Sequence, residues 1–260
     1  MAAIDPAPTA ANLAGRARVV DGVLTPSKAT RSLTPAEYGD QDFIVLPEFL
    51  SAHHCDSLAK AFDDLHGHVK SRKIGIDFWE GRIVYMGDVL RYSRELAEVM
   101  AGFQKRATSL LSQFYALTAP LWTDTVQLNV WEPGSNLPPH TDNSNPDGSA
   151  HSTPWRDFSS IVYLNDDYEG GELYFTAQDR ILRPSKGMLV AFSAGYHHEH
   201  GVLRVTAGRR LTMPAFYTFD PVRADKIIYP PPASVPKSTT PLAILNPIAP
   251  RWKPPGPLGF

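Results

Sequence analysis

The feature that most constrains this 260-residue chain is a change of hydrophobic period near Asp124. Upstream, apolar residues recur at helical spacing. After DFIVL (42–46), which reads as a short strand, Ser51 stands where it would cap a helix presenting Leu58, Ala61, Phe62 and Leu65 on one face. A second helical pattern covers about 93–117, its stripe formed by Leu96, Met100, Phe103, Leu110, Leu111 and Phe114. Downstream the chain breaks into short runs divided by Gly, Asn, Asp and Pro. Residues 126–131, 159–165, 171–176, 187–194, 199–205 and 209–219 read as strands. Helices followed by many short strands predict an α+β fold, with helices packed against a sandwich or barrel.

The run VQLNVW (126–131) shows how such a barrel could work. Side chains alternate along a strand, so Val126, Leu128 and Val130 share one face while Gln127, Asn129 and Trp131 share the other. The aliphatic face suits packing against a second layer; the polar face suits either solvent or a working interior. Seven residues further on, PPHTDN (138–143) places His140 and Asp142 at i and i+2, on one side of an extended segment. Alone, such a pair is common on surfaces. His200 follows 58 positions after Asp142, and Arg210 ten after His200. Two imidazoles and one carboxylate on neighbouring strands would occupy one face of an octahedral metal and leave three positions open, the pattern of non-haem Fe(II) oxygenases. A buried Arg210 would need an anionic partner, either a bidentate ligand carboxylate or a local Asp or Glu.

Composition narrows the remaining classes. A net charge of −2 lacks the basic face a nucleic-acid binder needs, so no nucleic-acid partner is expected. No apolar run approaches the roughly 18 residues of a membrane helix, and the N-terminus carries no signal-peptide pattern. Cys55, the one cysteine, fits a reducing compartment, and the expected location is cytoplasmic. Prolines number 24, and 11 of them fall in 221–260. The sequence therefore reads as an arm over 1–30, one domain over 31–220 (helical support about 42–122, barrel about 123–220), and a Pro-rich extension over 221–260 that offers a surface for homo-oligomerisation.

The stretches PPHTDN, WRDFSSIVYLNDDYEGGELYF (155–175), SKGMLVAFSAG (185–195), HGVLRVTAGRR (200–210) and FYTFDP (216–221) together resemble the 2-oxoglutarate/Fe(II)-dependent dioxygenases of the prolyl hydroxylase superfamily, most strongly the prolyl 3-hydroxylase (leprecan-like) catalytic domain. The resemblance spans about 125–221. It implies a double-stranded β-helix, a jelly-roll or cupin-like barrel supported by the N-terminal helices. It implies that His140, Asp142 and His200 hold Fe(II) and that Arg210 and Tyr163 bind the cosubstrate 2-oxoglutarate, with Asn129, Trp131 and Thr212 as further pocket residues. The implied activity is hydroxylation of an unactivated C–H bond by O2, with 2-oxoglutarate decarboxylated to succinate and CO2 and ascorbate serving as reductant in vitro. Presence of the Asp142 carboxylate implies hydroxylation rather than halogenation.

The substrate is less constrained: an amino acid, a prolyl or peptidyl residue, or a natural-product intermediate. The insert 144–155 should lie beside the metal, and 78–85 either meets the substrate or forms a hairpin covering the barrel. Trp79, Arg82, Tyr85 and Trp155 are the expected substrate contacts. His197 and His198 read as a rim or solvated turn, and His53, His54, His66, His68 and His151 as surface residues. Two other classes stay open: a catalytically silent jelly roll used for binding or scaffolding, and a cupin-type metalloenzyme that does not use 2-oxoglutarate and has no role for Arg210.

Overall fold

The computed structural model describes residues 42–70, 74 and 77–230, together with the short strands at 18–20, 23–25 and 31–32. Most of the arm over 1–30 and all of the extension beyond 230 lie outside the described residues. Within the arm, β1 (Arg18–Val20) and β2 (Val23–Thr25) pair as an antiparallel hairpin. Then come β3 (Arg31–Ser32) and β4 (Ile44–Leu46), the helix α1 (Ala52–Val69), β5 (Ile83–Tyr85), α2 (Met86–Tyr92) and α3 (Arg94–Phe114). The strand-rich part follows: β6 (Trp122–Trp131), β7 (Leu137–His140), β8 (Phe158–Tyr163), β9 (Glu169–Gly170), β10 (Leu173–Phe175), β11 (Arg180–Leu182), β12 (Leu189–Ser193), β13 (His200–Val202), β14 (Val205–Ala207) and β15 (Arg210–Thr218).

Both long helices start where side-chain oxygens can replace missing backbone acceptors. Ser51 accepts from the His54 amide at 3.3 Å, and Ser93 accepts from the Leu96 amide at 3.3 Å. Ser93 is itself extended (φ −152°, ψ 113°), so it ends α2 and caps α3. Each helix buries one stripe: Cys55, Leu58, Ala61, Phe62 and Val69 on α1, and Ala97, Met100, Gln104, Ala107 and Leu111 on α3.

Six antiparallel strands, in the order β4-β12-β8-β15-β6-β5, make the larger sheet. Five strands in the order β3-β11-β10-β13-β7 make the smaller one, in which only β11–β3 is parallel. The two sheets face one another as a double-stranded β-helix whose edges stay open among the described residues, so the barrel expected from the sequence is not closed. Two cores result. Val126, Leu128, Val130, Val162, Leu189 and Met213 turn outward from the large sheet onto the helices. Phe43, Tyr163, Leu173, Phe175, Val190 and Phe192 fill the space between the sheets. Each fully buried aliphatic or aromatic side chain contributes about 1.5–3 kcal/mol.

One polar bolt crosses the first core. Tyr217 Oη donates to Gln104 Oε1 at 2.7 Å, so its oxygen is left to accept from Ser160 Oγ at 2.8 Å. This chain of bonds ties α3 to the centre of the large sheet. The first ten residues beyond 220 also pack on the body: Ile228 is buried and the Tyr229 ring meets Trp122 edge-on. No helix among the described residues is long and apolar enough to cross a membrane.

Candidate active site

The alternation on β6 positions the site. With the aliphatic residues committed to the helices, Gln127, Asn129 and Trp131 point between the sheets. On β15, Arg210 lies opposite Trp131, and Thr212 lies between Asn129 on one neighbour and Tyr163 on the other. These inward side chains wall a cavity of about 480 Å³ that also reaches His140, Asp142 and His200.

The two histidines meet because β7 and β13 pair with His140 directly opposite His200. Directly opposed residues hold their Cβ atoms about 5 Å apart, and the ring centroids here are 4.5 Å apart. Asp142, two residues past the strand, is fixed by its amide donating to Ala194 O at 3.0 Å. Its Oδ1 lies 3.7 Å from His140 Nε2 and its Oδ2 3.8 Å from His200 Nε2. His140 Nδ1 lies 3.0 Å from Pro138 O and His200 Nδ1 2.9 Å from His198 O. A carbonyl can only accept, so each Nδ1 carries a proton, and in the tautomer this selects each ring turns an Nε2 lone pair toward the carboxylate. In that tautomer three lone-pair donors converge. All three ligand atoms lie within 4.8 Å of one another, a group able to hold a metal ion.

The local electrostatics keep the group in its ligating forms. Burial pushes the His200 pKa down to about 4, helped by the neighbouring His140. Burial alone would raise Asp142, but His200, His140 and the Ser159 hydroxyl, which donates to Oδ2 at 2.6 Å, hold its carboxyl below the usual range. Near neutrality, Asp142 is therefore a carboxylate and the His200 ring beside it is unprotonated at one nitrogen.

Arg210 is 1% exposed and forms no ion pair among the described residues. Its guanidinium carbon lies 5.0 Å from the Trp131 ring centroid and 5.0 Å from that of Tyr163. Its Nε and Nη2, and the hydroxyls of Tyr163 and Tyr168, are buried without a hydrogen-bond partner. Buried charged donors left unmatched are costly, and this donor set suits an anionic partner such as a carboxylate. Gly171 makes room for the Arg210 side chain: in a left-handed turn (φ +67°), it passes so close that a Cβ would stand 2.9 Å from Arg210 Cδ.

Sequence reasoning placed most of these groups. His140, Asp142, His200, Arg210, Asn129, Trp131 and Thr212 all line the cavity, and Tyr163 backs Arg210. Trp131 Nε1 donates to Thr212 Oγ1 at 3.3 Å, leaving the threonine hydroxyl to donate into the cavity. Among the expected substrate contacts, Trp79 and Tyr85 line the cavity, whereas Arg82 and Trp155 do not. Arg82 donates to Ser135 Oγ at 2.7 Å and covers the Phe78 ring; Trp155 donates to Asp124 Oδ2 at 3.2 Å and stacks under Arg223. Two readings need correction. His151 lines the cavity rather than the outer surface, and His198 is buried rather than solvated. Arg156 and Tyr168 escaped notice. Arg156 follows Trp155 in a loop, where no alternation reveals which of two neighbours points inward.

The residue after the second histidine has no freedom to change. A Cβ on Gly201 would stand 2.2 Å from Tyr174 Oη and 2.7 Å from Leu137 O, and the latter is backbone of β7. Gly201→Ala is therefore expected to push β7 away from β13 and destabilise the protein by about 1–3 kcal/mol, the range for overpacking. Urea unfolding checks this, and an unchanged midpoint would show that β7 yields freely.

Between the sheets of a double-stranded β-helix, a carboxylate and two histidines able to hold a metal ion thus lie in one cavity with the buried, unmatched donors of Arg210. Residues 126–218 match the family model of the 2OG-Fe(II) oxygenase superfamily. The chain is similar to human prolyl 3-hydroxylase 3, 44% identical over 72 residues, 26% of this chain and 10% of the relative. Human prolyl 3-hydroxylase 2 is 37% identical over 86 residues, 28% of this chain and 12% of the relative. The chain thus spans only about a tenth of the length of these curated relatives. Among solved structures, the viral collagen prolyl hydroxylase from Paramecium Bursaria Chlorella virus-1, in its 2OG complex, superposes with a TM-score of 0.53 at 20% identity, covering 70% of this chain and 97% of that one. A Pseudomonas putida prolyl-4-hydroxylase gives 0.53 at 18% identity, covering 70% and 95%. These likenesses establish the fold.

Proposed function

We propose that this chain is an Fe(II)- and 2-oxoglutarate-dependent hydroxylase, with a prolyl or other amino-acid residue, free or in a peptide, as the favoured substrate and O2 as the oxidant. One observation carries the reading: a single cavity holds both the His140–Asp142–His200 group and a buried Arg210 whose Nε and Nη2 have no hydrogen-bond partner. The donor set fits the cofactors, since two neutral imidazoles and a carboxylate suit ferrous iron and the Arg210 end suits a dicarboxylate. When bound, these cofactors supply the oxidising power: O2 delivers one atom to the substrate C–H bond and one to the succinate formed as 2-oxoglutarate loses CO2.

The chain's own contribution is placement. Arg210, Thr212, Pro214 and Phe216 are alternate residues on β15 and all line the cavity. Six residues of strand span about 20 Å, so Arg210 marks one end and Phe216 the other. Arg156 lies over the Phe216 ring, 3.4 Å from its centroid, with its Nε 3.6 Å from Asp124 Oδ2. The cosubstrate carboxylate belongs at the Arg210 end and the substrate's carbonyl or carboxylate at the Arg156 end. Trp79 stacks edge-on against Trp131 at 5.2 Å and helps keep water from the cosubstrate. Support for a prolyl substrate comes from the relatives' names and from nothing in the cavity itself. The buried free thiol of Cys55 suits a cytoplasmic, reducing setting.

Succinate release is the test, with Fe(II), 2-oxoglutarate and ascorbate, across free proline, other amino acids and prolyl peptides. Substrate-stimulated succinate with a matching hydroxylated product is expected for one of these classes. No turnover, coupled or uncoupled, together with no binding of 2-oxoglutarate, would point to a silent scaffold.

A further inference from the structure

A second group of metal-ligating side chains lies outside the cavity. Asp42, just before β4, faces the 3-10 turn Tyr196–His198 that leads into β13. Its Oδ2 is hydrogen-bonded by His197 Nε2, and its Oδ1 lies 3.4 Å from His198 Nε2. The ligand atoms of Asp42, His197 and His198 all lie within 4.8 Å of one another.

His198 is the telling member. It is 1% exposed, enclosed by the rings of Phe43, Phe175 and Phe192 at 6.0, 6.0 and 6.1 Å. Its Nδ1 is satisfied by the Ser193 hydroxyl at 2.7 Å, but its buried Nε2 has no hydrogen-bond partner. Nε2 and Asp42 Oδ1 stand 3.4 Å apart, a spacing that suits two ligands of one cation. Ligand atoms bound tetrahedrally at the usual zinc distances of about 2.0–2.1 Å stand about 3.3 Å apart. Gln178 supports the carboxylate, donating through Nε2 to Asp42 Oδ2 at 3.2 Å and to His197 O at 2.7 Å. Asp42 and His197 are half exposed, so a cation and a completing water have a route in.

We propose that Asp42, His197 and His198 form a second divalent-cation site, with the two-imidazole, one-carboxylate chemistry that favours zinc or another late first-row metal. The site joins the edge strand of the large sheet to the turn that enters the small one. It also reaches the oxygenase centre, because the carbonyl of His198 is the acceptor that orients His200. Occupancy would hold that carbonyl, and hence the His200 ring, in place.

The test is zinc titration of the untagged, metal-stripped full chain carrying Asp142→Ala, which removes the carboxylate of the other group. One zinc per chain is expected to remain, and adding His197→Ala, a half-exposed position, is expected to weaken it at least about a hundredfold, more than outer partners of a metal site usually cost. Circular dichroism verifies that both variants are folded. Absence of zinc binding in Asp142→Ala, or binding that His197→Ala leaves unchanged, overturns the proposal. Loss in the double variant with retention in the single one supports it.

Discussion

Asp142→Ala is expected to abolish turnover and to weaken ferrous-ion binding by more than about a hundredfold. The bound follows from a comparison: loss of an outer hydrogen-bond partner alone typically costs 10–100-fold in metal affinity or activity, and Asp142 is proposed as a ligand itself. Its carboxylate is the one anion between His140 and His200, with an oxygen directed at each Nε2. Removing it leaves two neutral imidazoles, too few donors to hold iron against water. The fold should survive, since the amide of residue 142 still reaches Ala194 O and His140 still pairs with His200 in the sheet. Anaerobic titration with Fe(II), followed by calorimetry, reads the affinity, and circular dichroism reads the fold. A folded variant that keeps wild-type turnover would falsify the assignment of the metal centre.

Arg210→Met separates cosubstrate binding from metal binding. Methionine keeps much of the length and apolar bulk between Trp131 and Tyr163 while removing the charge. Two hydrogen bonds from a charged group to a carboxylate are worth about 3–6 kcal/mol together. At 1.4 kcal/mol per tenfold, 2-oxoglutarate affinity should fall by about a hundredfold to ten-thousandfold. Ferrous-ion affinity should not change. Stability offers an independent signature: without cosubstrate, Nε and Nη2 of Arg210 are buried and unmatched, so the variant should unfold in urea at the same or a higher concentration than the parent. Cosubstrate affinity equal to wild type would mean that the carboxylate binds elsewhere.

Local pattern carried the centre of the fold and failed at its margins. The phase of β6 was legible because strand alternation is geometric: once Val126, Leu128 and Val130 face the helices, Asn129 and Trp131 must face inward. His140 and Asp142 were legible through their i, i+2 spacing, and Ser51 and Ser93 through capping chemistry. By contrast, α2 spans too few residues for a helical period to stand out. Aromatic or charged character drew attention to Arg82 and Trp155, but character carries no direction, and both turn onto neighbouring side chains. The burial of His198 depends on three phenylalanines from β10, β12 and the segment before β4, a tertiary fact invisible in its own neighbourhood. Strand β7 was missed because Pro138 and Pro139 argue against a strand; it exists because it lies at the edge of the small sheet, where proline is tolerated.

Those prolines have a consequence for the fidelity of the site. Between the pairs His200–His140 and Val202–Leu137 the register shifts, because three steps along β7 match two along β13. The surplus residue of this bulge falls at the prolines, which have no amide hydrogen to lose from the ladder. Sliding β7 by one position would bring a proline, which has no amide hydrogen, into the paired positions and would also turn His140 to the opposite face. The proline pair therefore acts as a mechanical detent: it allows β7 a single seating against β13, the one in which the imidazoles meet.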